Sequence, residues 1–230
     1  MSSESFARAP LFQAHGRHGN VDLMVPSLAS FGRYAEAFRR GGRFLAARLA
    51  AAEGYSDLDA CPIVFLYRHS LELYLKGIGL AGGRILHLRG IALPNSQKLL
   101  KTHRLSAITP FVQRIFSEIE WDWETDVEGL RTFQEFEALI GEIEKVDAES
   151  FAFRYPVSTR GESSLPRNFR FNVFEFSDKL EPLLDGLDGV NAGLAAMWDL
   201  ETEAYLEEMQ LTQEVEYGMM MDNIEPEELG

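Results

Sequence analysis

The chain has 230 residues, 46% of them hydrophobic and 25% charged, which is enough apolar material for one generous domain or two small ones. A single cysteine, Cys61, excludes an internal disulfide and any cysteine-based zinc site. No run approaches the ~18 uninterrupted apolar residues of a membrane span, and Met1 to Pro10 have no apolar leader core, so a cytoplasmic protein is expected.

The net charge of −14 is not spread evenly. Lys179 is the last base, and fourteen acids follow it. The twenty-two acids and twenty-two bases of residues 1–179 cancel, so the whole excess lies between Leu180 and Gly230. Phosphate binding needs Lys and Arg to displace counterions, so the C-terminal part should repel nucleic acid. The basic cluster of the body is Arg33, Arg39, Arg40, Arg43 and Arg48.

Residues 1–26 lack periodicity and read as an arm. Pro26-Ser27 opens the first predicted helix, with Phe31, Tyr34, Ala35, Phe38, Leu45 and Leu49 at three- and four-residue steps. Gly41-Gly42 could kink it, and Gly54 to Asp57 end it. Asp59-Ala-Cys-Pro62 is a start signal for a second helix, expected from Ile63 to about Leu80. It is apolar around most of its circumference, the mark of a central helix. Gly77, Gly79, Gly82 and Gly83 are read as its stop, and Arg84 to Leu93, centred on Gly90, as a small irregular or hairpin insertion.

A third helix is predicted from the Leu99 to Leu105 region through Phe116 and Ile119, and a fourth from about Val127 to Val146. The segment Phe151 to Pro156 breaks the helical pattern, and 157–168 read as a loop. Helix resumes at Val173, with a weak break at Asp185-Gly-Leu-Asp-Gly189 and a long acidic helix to about Met209. The pattern gives one all-α domain over 27–212, an arm at 1–26 and an acidic tail at 213–230.

Arg68, Glu72 and Lys76 stand at four-residue steps and so share one face of the second helix. Such a stripe could hold an anion or a scissile phosphate. It could equally be a buried ion network, acceptable when each charge is paired. His69 lies beside the stripe, and His103 belongs to the next element. His15, His18 and His87 show no ligand spacing, so no metal site is expected. No phosphate loop and no Gly-x-Ser-x-Gly elbow occurs, and no cofactor is implied. Trp121 and Trp123 read as core.

Three segments in order, Tyr67-Arg-His-Ser-Leu-Glu-Leu-Tyr-Leu-Lys-Gly77, Thr102-His-Arg-Leu105 and Phe153-Arg-Tyr-Pro156, resemble those of bacterial HEPN-type proteins over roughly residues 28–210. The resemblance implies a bundle of four to five helices. It implies either an interaction or scaffold subunit, such as those of defence and toxin–antitoxin systems, or a metal-independent ribonuclease. Active members resemble one another in a late-helix Arg-x4–6-His motif at a dimer interface. Here no histidine follows His103, and the literal match, Arg8 to His15, precedes the bundle. A divergent catalytic set would be Arg68, His69, His103 and Arg154, with a histidine as general base and arginine at the phosphate. Glu72, Lys76, Arg39, Arg40 and Arg43 would bind. Two partners are expected: a second copy, forming a symmetric dimer through helix two and the last helix, and a basic protein at the acidic C-terminus. RNA enters only with the nuclease alternative.

Overall fold

Ser56 and Asp59 form a capping box: Ser56 Oγ accepts from the Leu58 amide at 3.3 Å, and Asp59 Oδ2 accepts from the Ser56 amide at 2.9 Å. The short 3-10 turn Asp57–Asp59 runs directly into a helix over Ala60–Leu88, with Pro62 in its first turn, where a missing N–H leaves no bond unmade. In the computed structural model, which describes residues 23, 30–93, 97–123, 125 and 127–222 (the side chains of 218–222 excepted), this helix is the second of six. The six are α1 (Phe31–Ala50), α2 (Ala60–Leu88), α3 (Gln97–Lys101), α4 (Leu105–Glu118), α5 (Phe133–Asp147) and α6 (Val173–Asp222). Among the described residues there is no strand; Val157 and Ser163 form a lone β-bridge within the 157–168 loop. The all-α bundle expected from the periodicity is the observed architecture, and none of the described helices is long and apolar enough to cross a membrane.

α2 is the centre. α1, α4 and α6 all pack on it, α1 also meets α6, and α5 packs on α4. Tyr67, Leu71, Tyr74, Leu75, Ile78, Ile85 and Leu86 of α2 are buried, against Leu105, Ile108, Val112 and Ile115 of α4 and Leu180, Leu184, Leu187 and Leu194 of α6. A second capping box starts α5, where Thr132 Oγ1 accepts from the Glu135 amide at 3.2 Å and Glu135 Oε2 from the Thr132 amide at 3.0 Å. Trp123 pins the connection ahead of it. Its ring stacks on Phe136 at 4.7 Å, and its indole N–H donates to the Leu130 carbonyl at 2.9 Å.

Several predicted boundaries move. The glycines of α2 do not stop the helix, and Arg84 to Leu88 is its last turn, not a hairpin. The reason is close approach. A Cβ on Gly77 would collide with Asn191 of α6, and one on Gly82 with Ile115 of α4, so these positions let neighbouring backbones lie tight on the central helix. Ile85 and Leu86 then carry the buried stripe one turn further, and the chain reverses at Gly90, whose φ of 75° is left-handed. The expected third helix is two, α3 and α4, parted by Thr102-His103-Arg104. α5 starts at Phe133 because its capping box is there, so Val127 to Thr132 stay outside it. α1 passes Gly41-Gly42 uninterrupted, and α6 passes Asp185 to Gly189 without a break, its leucines 183, 184 and 187 seated in the core on either side of Gly186. The tail expected from 213 is helical as far as Asp222. The predicted arm, with Arg8 and His15, lies outside the described residues apart from exposed Leu23.

Candidate functional site

α2 carries Glu72 into the interior, where its side chain is 1% exposed. Oε2 accepts from Arg68 Nη1 at 2.9 Å, and Oε1 accepts from Lys76 Nζ at 2.9 Å. The third partner comes from the α3–α4 connection, whose His103 sets Nδ1 at 3.0 Å from Oε1. Burial alone would raise the Glu72 pKa, but Lys76, Arg68 and His103 outweigh it and hold the carboxyl below its ordinary value. Of the two readings of this helix face, the buried ion network is the arrangement observed. The stripe is internal, and each of its charges has an opposite partner.

Arg68 is equally enclosed. Nε donates to the Asp147 carbonyl at 3.1 Å, and Nη2 to the carbonyls of His103 at 2.7 Å and Ala148 at 3.2 Å. One guanidinium therefore ties α2 to the end of α5 and to the backbone beside His103. Its side chain is 1% exposed, and its bonds stabilise the bundle.

His103 is placed differently. Its side chain is 53% exposed, while Nδ1 is held by a buried carboxylate and its own carbonyl by Arg68. Thr102 Oγ1 accepts from the Arg104 amide at 3.1 Å and fixes the turn that presents the ring. Around it lies a shallow cleft lined by Lys98, Lys101, Arg104 and Glu149, with Arg104 Nε bonded to Glu149 Oε1 at 2.5 Å. A carboxylate on one imidazole nitrogen and solvent at the other is an arrangement that fixes the tautomer and leaves Nε2 to accept a proton.

His69 and Arg154 do not join this group through any hydrogen bond. The His69 ring stacks on Phe65 at 5.5 Å and meets the edge of Phe38 at 4.5 Å, and burial pushes its pKa down. Arg154 is exposed, with its guanidinium 5.4 Å from the Phe65 ring centre and Nε donating to the Ser150 carbonyl at 2.5 Å. The two flank the same phenylalanine.

Two members of the basic cluster of α1, Arg39 and Arg43, are tied to α6. Arg39 is 3% exposed and donates to Glu181 Oε2 at 2.6 Å and pairs with Asp185 at 2.5 Å; Arg43 also pairs with Glu181. Tyr67 completes this knot by donating to Glu181 Oε1 at 2.6 Å. Burial would raise the Glu181 pKa, yet Arg43, Tyr67 and Arg39 bring it to about 2. Arg40, 69% exposed and 3.7 Å from Glu36, faces outward, as do Arg33 and Arg48.

Sequence reasoning missed Asp147, Lys98, Lys101 and Arg104. Asp147 ends α5, where the helix dipole disfavours an acid, and that misfit was the available signal. Its Oδ1 accepts from the amides of Phe151 at 2.6 Å and Ala152 at 2.9 Å, so it organises the turn that follows. Among the described residues no three His, Cys, Asp or Glu side chains gather as metal ligands.

No protein-family model, curated protein or solved structure matches this chain.

Proposed function

We propose that the chain is a HEPN-like interaction or scaffold subunit, of the kind that serves bacterial defence or toxin–antitoxin systems, and that the far half of α6 is its contact surface. The observation that carries this reading is the exposure of that half-helix. From Glu203 to Tyr217 every described residue is exposed, and Tyr205, Leu206, Met209, Leu211, Val215 and Tyr217 are large apolar side chains among them. Acids lie between them, and no base follows Lys179. A second copy laid along this segment would set like charge against like, so the chemistry favours a basic partner with apolar pockets. α2 offers little for a dimer, because its apolar face is used inside the bundle.

The alternative, a metal-independent ribonuclease, is favoured by one observation: the exposed His103 ring with Glu72 behind it and Lys98, Lys101 and Arg104 around it. One experiment separates the two. The full chain, a chain ended after Thr202 and His103→Ala are compared for partner capture from the native host across a salt series and for RNA cleavage. The interaction reading expects capture that weakens with salt and vanishes on truncation, with no cleavage by any of the three. RNA cleavage that survives truncation and disappears in His103→Ala would replace it with the nuclease reading.

A further inference from the structure

Beside Arg68, α2, α5, the start of α6 and the 153–172 segment enclose a cavity of about 370 Å³. That volume falls within the usual range for small-molecule pockets. One wall is a continuous aromatic surface. Phe169 lies 5.3 Å from Phe171 and 6.3 Å from Phe153, and Phe171 lies 6.2 Å from Phe176. Leu139 and Ile143 of α5 also line it. One polar group in this apolar lining is unsatisfied. Asp147 is 3% exposed and lines the cavity, and its Oδ2 has no hydrogen-bond donor. Arg68 Nε is 3.6 Å from that oxygen but directs its hydrogen to the Asp147 backbone carbonyl.

A buried carboxylate oxygen without a donor is costly, and native structures seldom leave one without a purpose. We propose that this cavity is a binding site for a small aromatic or flat apolar molecule bearing a protonated amine, whose N–H bonds Asp147 Oδ2. Three features select that class. The aromatic wall takes a planar apolar body and favours a cation at ring faces. The free valence is an acceptor, so the ligand must donate. The mouth carries Glu142 and Glu175 against Lys179, which disfavours an anion. Arg68 links this site to the other, since the same guanidinium that lines the cavity holds the His103 carbonyl. The site does not depend on the proposed use of α6.

The test uses the full chain and matched probes, 2-phenylethylamine and ethylbenzene, titrated at millimolar concentration while the methyl resonances of Leu139 and Ile143 are followed by NMR. The amine should shift both residues and bind about tenfold or more tighter than ethylbenzene, the gain expected of a charge-assisted hydrogen bond at a desolvated acceptor. Asp147→Asn retains an oxygen for the Phe151 and Ala152 amides but turns the free valence into a donor, and should erase that preference. Leu139→Trp fills the cavity from a half-buried wall position and should abolish binding of both probes. Equal affinity for the two probes in the wild-type protein overturns the proposal, as does binding of neither. An amine preference that survives Asp147→Asn overturns it too.

Discussion

Replacing Glu72 with alanine takes away the one acceptor shared by Arg68, Lys76 and His103; it leaves Lys76 buried without a counter-charge and Arg68 with only the Asp147 carboxylate, 3.6 Å away. Breaking a buried pair by removing one partner costs ~3–5 kcal/mol, most of it the desolvation of the charge left behind. The upper part of that range applies here. Arg68 retains three carbonyl partners, whereas the Lys76 ammonium donates to Glu72 and, among the described residues, to no second acceptor. For a domain of this size each kcal/mol moves the melting temperature by about 2–4 °C, so a fall of roughly 8–20 °C is expected in a thermal melt followed by circular dichroism at neutral pH. A triple change of Arg68, Glu72 and Lys76 to Met, Leu and Met removes all three charges together and should recover much of the loss, because apolar replacement of a whole buried network is often neutral or better. A melting temperature for Glu72→Ala within about 2 °C of wild type would refute the reasoning. It would mean that water reaches this carboxylate and that the stripe is available for chemistry.

Gly82→Val sets side-chain atoms where Ile115 already stands and should cost about 1–3 kcal/mol as overpacking, read as a lower urea midpoint with an unchanged slope. An unaltered midpoint would show that α4 can move off α2 freely. His69 has its pKa lowered, chiefly by burial against Phe38 and Phe65, with Arg68, Lys76 and Arg154 adding to the effect and Glu72 opposing it. The unfolded chain therefore takes up the proton first as pH falls. The contribution of His69 is whole above its ordinary value of about 6.5 and is lost as pH drops below that through the folded-state value. His69→Phe should flatten the stability curve between neutrality and about pH 5, and a curve parallel to wild type there would refute the assignment.

The helices were legible because a buried stripe repeats at the helical period whatever it packs against. Their ends were less so. Gly77 and Gly82 have the composition of a stop signal, and only the neighbouring helices show that they are contact points. The same limit governs the site. Four-residue spacing places Arg68, Glu72 and Lys76 on one face from sequence alone, and the structure joins them as that spacing implies. His103 reaches Glu72 across 31 positions of chain, through a turn whose direction no local pattern states. Arg154, which follows α5 by seven residues, is instead set against Phe65. For Asp147 the sequence offers only its unfavourable place at the end of α5; its role shows when the 150–154 turn folds back onto it.

The far half of α6 is also a helix working against its own charge. Asp199, Glu203 and Glu207 follow one another at four-residue steps, so like charges are stacked along one edge, and no lysine or arginine is present to relieve them. Acids near the C-terminal end also oppose the negative pole of the helix. Glu201 pairs with Arg89 at 2.5 Å, and from Glu203 to Tyr217 the described residues are all exposed, so little burial against the bundle offsets these terms. This stretch is therefore held under electrostatic tension, and a cationic surface laid along it would release that tension while making its own contacts. Ordering of the rod and recognition of its partner then become one equilibrium, with ionic strength acting on both sides of it.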